Sequence, residues 1–262
     1  MRKFLVLTLS LFMILGLAAC NTQKPEEEDI EILKDPITTD VIEDDCAENP
    51  KGCDIGEATS SLAASKNFKE YYESMNGKEN SSGKIHRVVN VEENNVFEII
   101  EQDKLLDLLK SGDKFYLYVG DTKCPWCRLQ IESAIKVTNE LDVDKVYSVN
   151  IWDTDGKEVF RDKYIIDDTG ELKLDVPPTE AYLAILDMDL DGLLNNYTLS
   201  KDDETIEVGE KRIYAPNYLL IENGKIVKFC SPTPEDVEDP RGEITNEQFA
   251  EIEANLVEFF TN

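Results

Sequence analysis

Apolar and polar residues alternate along the chain with two different periods, and these periods predict a series of strands and helices. Residues 115–119 form an uninterrupted apolar run, typical of a strand buried on both faces. Residues 131–141 repeat apolar side chains at helical spacing. Residues 105–109 predict a helix that ends near Ser111-Gly112, and residues 146–152 predict a further strand. The middle of the chain therefore has the pattern of an α/β domain.

The C-terminal part has equally clear local signals. Residues 218–221 and 226–229 flank Asn223-Gly224, the preferred pair for a two-residue hairpin turn. Thr245 and Gln248 have the spacing of a capping box and predict the start of a helix. One face of that helix carries Phe249, Ile252, Leu256 and Phe259.

The N-terminal part before the middle region is less regular. Residues 68–75 predict a short helix, and residues 85–91 and 96–100 predict strands because they are mostly β-type residues. The segment 20–65 is acidic and poor in aromatic residues, so it has little surface to bury and is expected to be a flexible tether. The domain is then expected to occupy residues 66–262.

The first 19 residues have the composition of a targeting segment. Arg2-Lys3 precede an apolar core at residues 4–16, and Leu17-Ala18-Ala19-Cys20 follows it. This arrangement resembles a bacterial lipoprotein signal, and the resemblance implies that Cys20 becomes the lipidated first residue of the mature protein. An ordinary secretory signal or an uncleaved anchor is the alternative, although the apolar core is short for a membrane-spanning helix. The expected location is the cell membrane, lipid-anchored and facing the extracytoplasmic side.

Charge and cysteine content narrow the function further. The formal net charge is −28, which argues against nucleic acid or anionic lipid as a partner. Disulfides persist outside the cytoplasm, so the six cysteines matter chemically. Cys46 and Cys53 enclose a turn-rich stretch and are interpreted as a structural disulfide, with free or redox-active thiols as the alternative. Cys230 is interpreted as a small packing residue of the strand it ends.

The strongest chemical signal is Cys124-Pro125-Trp126-Cys127, placed where the buried strand gives way to the amphipathic helix. Two cysteines at this spacing predict a redox dithiol. The helix N-terminus favours the thiolate of Cys124, and the missing N–H of Pro125 costs nothing at the first helical position. Lys123 and Arg128 add cations on either side, which are expected to lower the pKa of Cys124 further.

Metal sites are the alternative interpretation of these residues. Half of a zinc site would need a second ligand pair, and the chain offers only His86 and scattered cysteines. The segment 187–192 starts like a calcium loop, but its twelfth position is Thr198 and not glutamate. We therefore expect no metal and no separate cofactor, the redox group being the Cys124–Cys127 disulfide itself.

The order of elements and several motifs resemble the thioredoxin superfamily. Cys124 and Cys127 match its redox pair, and Tyr214-Ala215-Pro216 before residues 218–224 is similar to the segment that carries its cis-proline. The residues around the cysteines are similar to thioredoxin-like lipoproteins of Gram-positive bacteria, the group labelled bacteriocin transport accessory protein. The resemblance implies a thioredoxin fold, a central mixed β-sheet flanked by helices, with an N-terminal extension.

The chain departs from that family at two places. The family's buried aspartate, which helps to move the proton of the inner cysteine, would fall near Tyr118, so water or another group must take its part. An insertion is expected at about residues 153–211, with a helix near 179–194 and a hairpin around 198–208. Such an insertion either shapes a substrate surface or only caps one edge of the sheet.

The resemblance implies a membrane-tethered thiol–disulfide oxidoreductase acting on protein thiols and disulfides, together with a membrane electron-transfer partner. Cys124 would attack and Cys127 would resolve the mixed disulfide. Lys123, Pro125, Trp126 and Arg128 would support the site, and Ala215 with Pro216 would hold the substrate chain. Trp126 either docks substrate or only packs on its own domain. The alternatives are a non-catalytic adaptor of a transporter or bacteriocin exporter and, less favoured, a solute-binding lipoprotein.

Overall fold

The computed structural model describes residues 55–188, 191–201 and 204–261. In these residues five helices and nine strands follow one another along the chain. In order they are α1 (Ile55–Glu73), β1 (Phe97–Ile99), α2 (Gln102–Ser111), β2 (Phe115–Gly120), α3 (Pro125–Glu140), β3 (Val146–Asn150), β4 (Lys163–Ile166), β5 (Leu172–Val176), α4 (Glu180–Leu186), β6 (Asn195–Lys201), β7 (Glu204–Arg212), β8 (Asn217–Glu222), β9 (Lys225–Cys230) and α5 (Asn246–Thr261).

A mixed five-stranded sheet forms the centre of the fold, in the order β1-β3-β2-β8-β9. Strands β1, β3 and β2 are parallel to one another, β8 pairs antiparallel with β2, and β9 pairs antiparallel with β8. The apolar run of β2 lies in the middle of the sheet, where Leu117, Tyr118 and Val119 are all fully buried. The α/β class predicted from the sequence is therefore confirmed, with a mixed central sheet.

The two faces of β2 belong to two separate hydrophobic clusters, because successive side chains of a strand point to opposite sides. Tyr118 lies with residues of α1, α3 and α5, including Ile131 and Leu256. Leu117 and Val119 lie with residues of α2 and α4 on the other face. Each face of the sheet is thus covered by helices, and α3 begins at the C-terminal end of β2.

The local signals of the C-terminal part are confirmed. Asn223 and Gly224 have φ of 54° and 67°, the left-handed pair that a two-residue hairpin turn between β8 and β9 requires. The Thr245 backbone N–H donates to Gln248 Oε1 at 3.0 Å, and the Gln248 N–H donates to Thr245 Oγ1 at 3.1 Å. These reciprocal bonds are the capping box at the start of α5.

The strand predicted at residues 85–91 is wrong. The segment forms only an isolated bridge between Glu79 and Ile85, and side chains take the place of a strand partner farther along. Asn76 accepts from the Val89 N–H at 3.0 Å and donates to the Val89 carbonyl at 2.8 Å. Glu73 accepts from the Val91 N–H at 3.0 Å. Because side chains satisfy its backbone groups, the segment packs in the core without joining a sheet.

The N-terminal helix is longer than predicted. Helix α1 begins at Ile55, so it extends back into the stretch that we expected to belong to the tether. Cys20, Cys46 and Cys53 lie outside the described residues, and so do the targeting segment and most of the expected tether. Among the described residues, no helix is both long enough and apolar enough to cross a membrane.

Residues 153–211 contain more structure than the sequence predicts. The hairpin expected around 198–208 is confirmed as β6 and β7, and the expected helix is present but shorter, as α4. The hairpin of β4 and β5 was not predicted, although Leu172, Leu174 and Val176 alternate with polar residues as in a strand, and the side chains of β5 are largely exposed. Strand β7 ends at Arg212, shortly before Ala215.

Candidate functional site

Cys124 and Cys127 lie together at the N-terminus of α3. Cys124 is the N-cap residue, and Pro125 is the first helical residue. The Cys127 backbone N–H donates to Cys124 Sγ at 3.4 Å, which places the outer sulfur over the end of the helix. Both cysteines are free thiols, 6% exposed for Cys124 and fully buried for Cys127. The pair therefore has one sulfur at the rim of the core and one inside it.

The surroundings of the two thiols move their pKa values in opposite directions. A hydrogen bond from the Cys127 thiol, helped by the backbone N–H groups of Cys127 and Trp126, lowers the pKa of Cys124 below its ordinary value. Burial and the nearby Asp121 oppose this effect. Burial raises the pKa of Cys127 well above its ordinary value, and Cys124 adds to the shift. Cys124 is accordingly the better nucleophile, since the thiolate is the reactive form.

Ala215 and Pro216 lie directly beside the outer cysteine. The Cys124 thiol donates to the Ala215 carbonyl oxygen at 3.7 Å, within the range for a sulfur donor. The Ala215–Pro216 peptide bond is cis. Trp126 is partly buried and packs against the core cluster that contains both cysteines. The structure thus brings the helix start and the segment before β8 together around Cys124.

Neither Lys123 nor Arg128 is among the main causes of the lowered pKa of Cys124. Arg128 is fully buried, and its guanidinium donates to the carbonyl oxygens of Arg87, Tyr72 and Thr122 at 2.7, 2.7 and 3.1 Å. The Lys123 ammonium donates to the backbone carbonyls of Asp153 and Thr154. The pKa of Cys124 is lowered mainly by hydrogen bonds, so these cations serve to join neighbouring segments to α3.

Asp121 is a buried carboxylate next to the motif that the sequence analysis missed. It is 1% exposed and accepts from the Tyr71 hydroxyl at 2.9 Å and from the Lys123 and Trp152 backbone N–H groups at 2.8 and 3.0 Å. Burial raises its pKa above the ordinary value, although the three hydrogen bonds and Lys123 act in the opposite direction. The sequence could have indicated this residue, because Asp121 directly follows the buried strand β2 and lies three positions before Cys124.

A cluster of buried tyrosines was also missed. Tyr72 of α1, Tyr118 of β2 and Tyr218 of β8 are each 1% exposed or less, and they surround the inner cysteine. The hydroxyls of Tyr72 and Tyr118 are 2.8 Å apart. Hydrogen bonding from Tyr118 lowers the pKa of Cys127, against the larger effect of burial. Burial raises the pKa of all three phenols well above the ordinary value, so they are neutral.

Cys230 forms its hydrogen bond with α5 and not with the residues of the motif. Its thiol donates to the Asn255 carbonyl of α5 at 3.7 Å, and its side chain is partly buried against the same core cluster. Burial raises the pKa of Cys230 to about 11. These surroundings suit the packing role that the sequence suggests.

In the part of the chain that the structure describes, no three His, Cys, Asp or Glu side chains are grouped as a metal site would need. Comparison with known proteins gave no matching family model, no similar curated protein and no similar solved structure. The functional argument therefore depends on the geometry and chemistry of the site itself.

Proposed function

We propose that this protein is a thiol–disulfide oxidoreductase with a thioredoxin fold, tethered to the membrane outside the cytoplasm. The fold proposal is supported by the strand order β1-β3-β2-β8-β9, by the helices on both faces of the sheet, and by a dithiol where α3 follows β2. Ala215-Pro216 at the entry to β8 supports it as well, because this segment lies beside the outer sulfur.

The observation that carries the functional proposal is the geometry of the pair. Cys124 Sγ lies 3.4 Å from the Cys127 backbone nitrogen at the start of α3, and Cys127 is fully buried, so the two thiol pKa values shift in opposite directions. Cys124 sits at a helix N-terminus and accepts hydrogen bonds, so its thiolate is stabilised. Cys127 is held as a neutral thiol by burial. A purely structural cysteine pair has no need of this difference, whereas a nucleophile and a resolving thiol do.

The reaction in the reducing direction follows from this pair. The Cys124 thiolate attacks one sulfur of a substrate disulfide, forms a mixed disulfide and releases the first substrate thiolate. Cys127 then loses its proton and attacks Cys124 Sγ, which closes the Cys124–Cys127 disulfide and releases the second substrate thiolate. The protons end on the two released thiols. Oxidation of a dithiol substrate is the same sequence in reverse.

Substrate contact is proposed to occur at the segment beside Cys124. The Ala215 carbonyl lies 3.7 Å from Cys124 Sγ, so an extended chain that reaches the sulfur would pass this backbone. Trp126 offers apolar surface on the other side, because it is only partly buried. Since Cys124 itself is 6% exposed, substrates must present a protruding or unfolded disulfide.

The location rests on the N-terminal residues. Lipidation at Cys20 would anchor the chain, and the acidic stretch after it would hold the domain away from the membrane. A second membrane protein would be needed to renew the dithiol or the disulfide. Protein thiols and disulfides are the proposed substrates.

The test is reduction of insulin by dithiothreitol, followed as precipitation of the released chains. The wild-type protein should accelerate it clearly over buffer, and Cys124→Ser should remove the acceleration, because the attacking thiolate is lost. Cys127→Ser should accumulate a mixed disulfide between Cys124 and insulin, visible by mass spectrometry.

Cys230→Ser is the matched control, because it removes a buried thiol with a raised pKa outside the motif. Its rate should stay near that of the wild type. Absence of acceleration by the wild-type protein would contradict the proposal and favour the non-catalytic adaptor.

A further inference from the structure

Tyr118 occupies an unusual position for a tyrosine in a central strand. Its ring is fully buried and stacks on Tyr218 with the ring centroids 4.8 Å apart, and it meets the edge of Phe97 at 5.9 Å. Its hydroxyl lies 2.8 Å from the Tyr72 hydroxyl, and Tyr118 and Cys127 belong to the same buried cluster. Hydrogen bonding from Tyr118 lowers the pKa of Cys127, against the larger effect of burial. The phenol therefore reaches from β2 to the first turn of α3.

Gly120 makes this position possible. A Cβ atom at residue 120 would lie 2.1–2.4 Å from three atoms of the Tyr118 phenol, Cζ, Oη and Cε1. The two residues face the same side of β2, and the ring of Tyr118 lies over the bare Cα of Gly120. The absence of a side chain at Gly120 thus leaves room for the phenol ring of Tyr118.

We propose that Tyr118 is a catalytic residue of the resolving step, donating a hydrogen bond from its hydroxyl to Cys127 Sγ and stabilising the thiolate that attacks the mixed disulfide. Tyr72 is then a positioning residue: by donating its own hydroxyl proton to Tyr118 Oη, it leaves the Tyr118 proton free for the sulfur. This inference rests on the proposed oxidoreductase function and concerns its second step.

In this step the Tyr118 phenol acts only as a hydrogen-bond donor. Cys127 enters the step as a thiol, loses its proton to the buffer, and its sulfur forms a bond with Cys124 Sγ while the bond from Cys124 Sγ to the substrate sulfur breaks. A neutral phenol is a good donor and a very poor base, so Tyr118 stabilises the anion without accepting the proton. Charge-assisted hydrogen bonds of this kind are stronger than neutral ones.

Several other charged or titratable groups lie near the same sulfur. They are Cys124 and Arg128 on α3, Tyr71 and Tyr72 on α1, Asp121 at the end of β2, and Tyr218 on β8. Tyr218 is the useful comparison among them. Its ring stacks on Tyr118, but its buried hydroxyl has no hydrogen-bond partner.

The test separates the two steps with 5,5′-dithiobis(2-nitrobenzoate). Cys124 attacks the reagent and releases one thionitrobenzoate, and Cys127 then resolves the mixed disulfide and releases a second. Stopped-flow absorbance measures both releases on the reduced full-length protein. Tyr118→Phe keeps the ring and removes the hydroxyl, so the second release should slow about tenfold near neutral pH, and its pH midpoint should rise by about one unit. The first release should stay within about twofold.

Tyr218→Phe should leave both releases unchanged, and Tyr72→Phe should slow the second one by a smaller factor than Tyr118→Phe. An unchanged second release in Tyr118→Phe, or equal slowing of both releases, would overturn the assignment to Cys127. If Tyr118→Phe does not fold, as judged by circular dichroism, Tyr72→Phe decides: slowing confined to the second release supports the assignment, and no slowing refutes it. Failure of the proposed function is seen separately, as absence of the first release in the wild-type protein.

Discussion

Cys124 and Cys127 are only three positions apart, about one turn of helix, and yet they have different chemical roles. Cys124 caps α3 and receives the Cys127 N–H, while Cys127 lies inside the first turn and faces the sheet. The same helix therefore lowers one thiol pKa and, through burial, leaves the other raised. The packing beside the two cysteines depends on Gly120, because the ring of Tyr118 lies against its Cα.

Gly120→Ala should destabilise the protein, because the added methyl group would lie 2.1 Å from Tyr118 Cζ and force the ring away. Overpacking of this kind typically costs about 1–3 kcal/mol. We expect a loss of about 2 kcal/mol in the free energy of unfolding, measured by chemical denaturation. The same substitution in a Tyr118→Leu background should cost much less, since the clashing ring is gone. Equal costs in both backgrounds would show that the contact with Tyr118 is not the cause.

At the scale of elements, a buried ion-pair network fastens residues 153–211 to the site. Glu158 accepts from Arg161 Nε at 2.6 Å and lies 3.6 Å from Arg212, with all three side chains at most 7% exposed. Arg161 also donates to the Ile213 carbonyl at 3.1 Å. The network thereby holds the chain two residues before Ala215, whose carbonyl contacts Cys124.

Removing the carboxylate of this network should be costly. Glu158→Gln would leave the buried guanidinium groups of Arg161 and Arg212 without their shared anion, and breaking a buried pair costs about 3–5 kcal/mol. We expect a loss of about 3 kcal/mol in the free energy of unfolding.

Asp175→Asn is the matched control for that substitution. The Lys163–Asp175 pair is 2.7 Å long but 44% and 37% exposed, so its loss should cost less than about 1 kcal/mol. Both losses are measured by chemical denaturation. If Glu158→Gln and Asp175→Asn reduced the free energy of unfolding by similar amounts, the proposed stabilising role of Glu158 would be contradicted.

At the scale of the whole molecule, the sequence predicts the structural features that depend on interactions between residues close together in the chain. The dithiol helix, the Asn223-Gly224 hairpin and the capping box of α5 each depend on contacts a few residues apart, and each is confirmed. The apolar run of β2 predicts a central strand, and β2 lies between β3 and β8 in the middle of the sheet.

The parts that the sequence analysis missed depend on distant partners. Tyr118 gains its role from Tyr72, which is 46 positions away, and residues 85–91 have strand-like composition but receive their hydrogen bonds from side chains. Lys123 and Arg128 were expected to act on Cys124 because they are close in sequence. Their donors bind backbone carbonyls instead, which only the tertiary structure determines.

The pH dependence of Cys124 alkylation tests the central claim, an activated nucleophile, most directly. Reduced protein is treated briefly with iodoacetamide across a pH series, and labelling of the Cys124 peptide is quantified by mass spectrometry. A lowered pKa keeps the reactive thiolate populated above that pKa and loses it only as the pH falls through it.

We expect the half-maximal rate at a pH below the value of about 8.5 of an ordinary thiol. Cys127→Ala should move it upward, because the main hydrogen bond to the Cys124 sulfur is lost. A midpoint at or above about 8.5 in the wild-type protein would contradict the account.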